Sequence, residues 1–251
     1  MQPKQSFMSR LTHLESPVSW SLLLGLFFVL AYAILWIAGQ VIVTTLSGGS
    51  ATPTLESLGL GALVGSLVTI IGTFLWAQQR SNGSWSTWLK LGQPRSPAVF
   101  VVVLTGLGAA WAIDLIGVLL KLKTDQIVPP IFNVLRQPID VTWILVAIFA
   151  ILIQPIAEGL VFGGILFPAL ARDLHNNLIA SLLTALVYAL VNAAVLMGSV
   201  ADPWYGLLQP FLMILVVALV RAYSRSTQSA IVTRVFFGVF FVLAAVISAR
   251  F

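Results

Sequence analysis

The sequence predicts an all-α, polytopic membrane helix bundle of about seven transmembrane helices, and three observations carry that prediction. Hydrophobic residues make up 59% of the 251 and charged residues only 8%, against roughly 45–50% and about 25% in soluble domains. Seven apolar stretches alternate with polar or Pro/Gly-rich connections, and most reach the about 20 residues that a helix needs to cross a bilayer. The third is Glu158, an acid set inside the apolar run Ile151 to Ala171, between Pro155 on one side and Gly163, Gly164 and Pro168 on the other. A carboxylate at the centre of a membrane helix costs about 2.5–3.5 kcal/mol even on lenient insertion scales. Glu158 is therefore a candidate functional residue from the outset. The proline and glycines around it free backbone carbonyls to face a cavity.

The composition leaves room for one membrane domain and no separate soluble one, with residues 1–140 forming N-terminal helices and 141–251 the core. Thirteen Lys/Arg against eight Asp/Glu give a net charge of +5. Most of these basic residues stand just outside apolar segments, where they set topology and touch headgroups and form no nucleic-acid surface. The absence of cysteine excludes disulfides, thiolate metal sites and thiol nucleophiles.

In chain order, Met1 to Pro17 is polar and is placed at the membrane surface. A retained first helix is expected from Val18 to about Val43, with Trp20 as interfacial anchor. The second span, Leu58 to Ala77, carries Gly61, Gly65 and Thr69 at four-residue spacing, a stripe that lets helices approach closely. Gln78 to Ser96 interleaves Arg80, Lys90 and Arg95 with Trp85 and Trp88, as suits a segment in the headgroup region. The third span, Ala98 to Leu120, contains Asp114, and the loop Lys121 to Asp140 is long enough for a short surface helix. A fourth span runs from Val141 through the Glu158 stretch and ends at a polar turn holding Arg172, Asp173 and His175. Three more follow at Leu178 to Met197, Leu207 to Val220 and Ser229 to Ala249. With the N-terminus cytoplasmic, that side holds Lys4, Arg10, Arg80, Lys90, Arg95, Arg172, Arg221 and Arg225. The other side holds Lys121, Lys123, Arg136 and Arg250. The positive-inside bias thus favours a cytoplasmic N-terminus.

Glu158, Tyr188, Asn192 and Arg234 are polar positions in the apolar surroundings of the last four spans. Residues four apart share a helix face, which pairs Tyr188 with Asn192 and Arg234 with Gly238. The pattern suggests one interior pocket, with Asp114 as a further partner. An ion pair between Arg234 and Glu158, with hydrogen bonds from Asn192 and Tyr188, is one filling of it; the alternative is that Arg234 snorkels to the interface. Phe236, Phe237, Phe240 and Phe241 are expected to face lipid ahead of a partner or a bound cofactor.

The order of these pieces resembles the CPBP family, the CAAX-protease and bacteriocin-processing membrane proteins also called Abi. That family's first motif, P-x-x-E-E-L-x-F-R-G, aligns with Pro155-Ile-Ala-Glu158-Gly159-Leu160-Val161-Phe162-Gly163-Gly164. The second glutamate has become Gly159 and the arginine Gly163. The second motif, FxxxH, falls on Tyr188 to Asn192, and the third, HxxxN or HxxxD, on Arg234 to Gly238, behind a Ser226-Thr-Gln-Ser229 helix entry. The resemblance covers about Val141 to Ala245 and implies the family's helical fold in an integral protein of a prokaryotic plasma membrane. In the family a glutamate, two histidines and an asparagine hold a metal or activate a water for peptide cleavage. Here only Glu158 is retained, and His13 and His175 lie outside the motif positions. The resemblance to a site so altered implies a pseudoprotease, a catalytically inactive binding or scaffold subunit for a membrane-protein or lipidated partner, with no cofactor. Two alternatives stay open: an active intramembrane peptidase with Glu158 as base, and a transporter or channel using Asp114, Glu158 and Arg234.

Overall fold

A computed structural model describes Leu11 and residues 18–48, 54–81, 84–92, 96–120, 130–195 and 203–248. The polar N-terminal segment with Lys4, Arg10 and His13, the loop residues 121–129, the linker 196–202, and Arg95 and Arg250 lie outside them. The described residues contain helices and no strand, and seven helices are long and apolar enough to cross a membrane. This is an all-helical integral membrane protein.

The first crossing, α1 (Leu22–Leu46), starts at Ser21, whose side chain accepts from the Leu24 amide. The second, α2 (Leu55–Arg80), is capped in the same way by Thr54. The two helices cross on their glycines. A Cβ added to Gly61 would meet the Gln40 backbone, and one added to Gly65 would strike the Leu35 carbonyl. Only hydrogen fits there, so the glycine stripe serves packing.

After a short interfacial helix, α3 (Trp85–Trp88), the chain crosses again as α4 (Ser96–Leu119). The surface helix expected in the following loop is a 3-10 turn over Pro130–Arg136, pinned where Trp143 Nε1 donates to the Leu135 carbonyl at 3.0 Å. The fourth crossing, α5, spans Val141–Leu174. It is followed by α6 (Asn177–Val195), α7 (Pro203–Ser224) and α8 (Thr227–Ser248). α7 begins four residues before the expected Leu207, because Pro203 suits a first helical turn. Successive crossings alternate in direction, so α1, α4, α6 and α8 run opposite to α2, α5 and α7.

The interfacial segment does more than lie flat. The Thr227 amide donates to the Lys90 carbonyl at 2.9 Å, Thr227 Oγ1 to the Leu89 carbonyl at 2.7 Å and Ser226 Oγ to the Gly92 carbonyl at 2.7 Å. These bonds bolt the start of α8 to the segment after α2 and so fix its height in the bundle. Trp20, expected as an interfacial anchor, is instead buried. Its ring packs on Trp88 (4.4 Å between centroids) and Trp76 (6.2 Å), and its Nε1 donates to the Ile165 carbonyl at 3.0 Å. Phe237 faces the core and not lipid: it is fully buried, while Phe236, Phe240 and Phe241 are half-buried.

Candidate functional site

The site is built on α5, which departs from α-helical geometry twice, over Phe149–Ile153 and Gly159–Leu166. Both stretches are wound as π-helix, and a proline stands just beyond each, Pro155 and Pro168. A proline offers no N–H and its ring crowds the carbonyl four residues back, here Ile151 and Gly164, so a widened turn relieves the crowding. The widening leaves carbonyls without helical partners. The Phe167 amide bonds the Phe162 carbonyl, and Pro168 has no amide, so neither serves Gly163. Arg221 Nε supplies the missing donor, 3.2 Å from the Gly163 oxygen, with its guanidinium 5.5 Å from the centre of the Phe167 ring. Its position just past an apolar span marks Arg221 as a surface charge in the sequence, yet it is fully buried. The same logic holds at the first stretch. The Gln154 amide bonds the Phe149 carbonyl and Pro155 has none, which leaves Ala150 short of a donor. There α8 comes in at Gly238, where any Cβ would collide with the Ala150 oxygen and where Cα hydrogens can approach it.

Between the two π stretches sits Glu158, fully buried. Four side chains from four helices converge on it. Arg234 of α8 donates Nε to Oε2 at 2.6 Å, forming a buried ion pair. On Oε1 the carboxylate accepts from Gln154 Nε2 at 2.6 Å, Tyr188 Oη at 2.8 Å and Tyr32 Oη at 3.3 Å. Phe162 stands edge-on to both phenols, 5.8 Å from the Tyr32 ring and 4.9 Å from that of Tyr188, and holds them against the acid. Charge-assisted bonds of this kind, with both oxygens engaged, offset part of the desolvation cost of a buried carboxylate.

The residues singled out in the sequence are sorted by this geometry. Glu158, Tyr188 and Arg234 meet. Asn192 and Asp114 are half-buried and make none of the hydrogen bonds to the pair, so the expected donation from Asn192 is absent and Asp114 of α4 is not a partner of the acid. Gly159, Gly163 and Gly238 contribute by what they lack. Added Cβ atoms would meet Ile231 at Gly159 and, at 3.3 Å, Ala230 at Gly163, so the three glycines let α8 lie against α5 closely enough for Arg234 to reach across. Two participants escaped the sequence reading. Gln154 stands one turn before Glu158 on the same helix, a spacing that could have flagged it. Tyr32 carried no such signal, since nothing local ties the first span to the fourth. Among the described residues no three His, Cys, Asp or Glu gather where they could hold a metal.

Fold and site together define a polytopic helical membrane protein whose core conceals a carboxylate and guanidinium pair on a doubly broken helix. Residues 140–245 match the family model described as type II CAAX prenyl endopeptidase Rce1-like, and this C-terminal region belongs to the CPBP family. No curated protein and no solved structure matches the chain.

Proposed function

We propose that this protein is a catalytically inactive CPBP-like membrane protein that serves as a binding or scaffold subunit for a membrane-protein or lipidated partner, with its N-terminus in the cytoplasm of a prokaryotic cell. The observation that carries this reading is the engagement and burial of Glu158: both its oxygens accept hydrogen bonds, one of them from a guanidinium, and the side chain is fully buried. A general base needs a free lone pair within reach of water. A metal site needs ligands and an open coordination position. The donor set does not fit the family's metal: Arg234 offers protons and no lone pair, Gly159 and Gly238 offer no side chain, and Glu158 is already neutralised. A transport pathway is less well supported, because Asp114 joins neither the acid nor the arginine. The test is metal analysis of the purified protein together with cleavage of membrane-inserted peptides, beside a Glu158→Gln control. The expected result is substoichiometric metal and equal, background cleavage in both proteins. One equivalent of tightly held metal, or turnover abolished by Glu158→Gln, would establish a working peptidase instead.

A further inference from the structure

One helical turn from the ion pair, toward the end where α5 begins, a second polar layer is left incomplete. The first layer holds Tyr32, Glu158, Tyr188 and Arg234. Given the helix directions, the residues above them are Trp36, Gln154, Asn192 and Gly238, each four positions along, or about 6 Å. Trp36 shares one apolar cluster with Phe149 and Ile153 of α5 and Val195 of α6, on the helical turns next to Gln154 and Asn192. Trp36 is 5% exposed and Gln154 7% exposed, yet among the described residues Trp36 Nε1 and Gln154 Oε1 both lack a hydrogen-bond partner. The orientation of the Gln154 amide is not arbitrary. Glu158 Oε1 needs a donor at 2.6 Å, so Nε2 must face the acid and the oxygen must face away. A buried donor and a buried acceptor, both unanswered in the same layer, are rare in folded proteins and call for a partner. Asn192, half-buried and with no side-chain hydrogen bond among the described residues, adds an amide able to serve either role.

We propose that this layer binds an uncharged group that both accepts and donates, a hydroxyl or an amide, carried on an apolar membrane-soluble chain. Neutrality follows from the layer beneath, where Glu158 and Arg234 cancel one another and leave no net charge for an ionic ligand. The apolar carrier follows from the walls, Ala62, Phe149 and Ile153. Entry is from the side of α6, where Asn192, Ala193 and Val195 are half-buried and Ala194 is exposed. The acceptor of the ligand takes the Trp36 N–H and its donor bonds Gln154 Oε1. This inference deepens the binding-subunit reading, which the metal and cleavage assays test separately.

The experiment uses the full chain in lipid nanodiscs with 15N-labelled indoles, the Trp36 resonance being assigned by its loss in Trp36→Phe. Oleyl alcohol and oleamide are titrated beside methyl oleate, which only accepts, and oleate, which is charged. The alcohol, the amide or both should move the Trp36 Nε1–H resonance saturably, at concentrations at least about tenfold below the ester and oleate; which of the two does so identifies the source of the group. Binding of the radiolabelled ligand should weaken about tenfold in Trp36→Phe, a variant that keeps an aromatic ring in the packing. Equal behaviour of all four probes would reduce the layer to an apolar crevice and overturn the proposal. A Trp36 resonance that none of them moves, with a cross-peak to water, would assign the layer to a buried water alone and overturn it as well.

Discussion

Replacing Arg234 by leucine removes one half of a pair whose other half has nowhere to go. Glu158 is fully buried, with a relative accessibility of 0%, and that of Arg234 is 4%. Truncating one partner of a buried ion pair costs about 3–5 kcal/mol, because the remaining charge stays desolvated. Gln154, Tyr188 and Tyr32 would still donate to Oε1, which pulls the expected cost toward the lower end of that range. For a chain of this size each kcal/mol moves the melting temperature by about 2–4 °C, so Arg234→Leu should lower it by roughly 6–12 °C in detergent and reduce folded yield on size exclusion. The decisive measurement is the double-mutant cycle. Glu158→Gln alone strands the guanidinium and should also destabilise. Glu158→Gln with Arg234→Leu leaves no buried charge and should recover most of the loss, giving a coupling of at least about 2 kcal/mol. Single-mutant losses that simply add, within about 0.5 kcal/mol, would refute the reasoning and show that the two side chains contribute independently.

Two further outcomes follow from the packing and the topology. Gly238→Ala places a methyl against the Ala150 carbonyl and should destabilise by about 1–3 kcal/mol as an overpacked contact, whereas Gly72→Ala, which meets nothing, should gain about 0.5–1 kcal/mol from helix propensity; thermal melts that rank the two the other way would remove the argument for close α5–α8 approach. Because the chain has no cysteine, single Ser47→Cys and Gln79→Cys variants report sidedness directly. A membrane-impermeant maleimide should label Ser47→Cys and spare Gln79→Cys in intact cells, and the reverse pattern would put the N-terminus outside.

The parts of this structure that were legible in the sequence are those written in local composition. Seven apolar runs give seven crossings, and the small-residue stripe of Gly61 and Gly65 gives a close helix contact. Glu158 and Arg234 stood out because ionised groups in apolar surroundings need partners, and each was the conspicuous charge of its span. What could not be read were contacts between residues whose chemistry is ordinary by itself. Tyr32 is one aromatic among many in α1, and only the fold brings its hydroxyl 3.3 Å from the acid. Arg221 misleads for a related reason. A basic residue at the end of an apolar run is usually a topology signal, and the sequence gives no hint that Pro168 has left the Gly163 carbonyl in need of it. The two prolines were visible, but the π-helical turns that absorb them depend on what α7 and α8 bring to the freed carbonyls.

Gly159, Gly163, Gly238 and Arg234 act together. Removing side chains at 159, 163 and 238 alone would open the core, yet those positions are filled by backbone and aliphatic atoms of neighbouring helices. Closure of α8 onto α5 in turn carries Arg234 to the carboxylate. That carboxylate would otherwise remain charged with only neutral donors, at several kcal/mol of desolvation. A guanidinium at 234 without the glycines would be held away from Glu158, and the glycines without the guanidinium would bury an unneutralised acid. Each change makes sense only with the other. A set of residues coupled in this way maintains a packed, charge-balanced core.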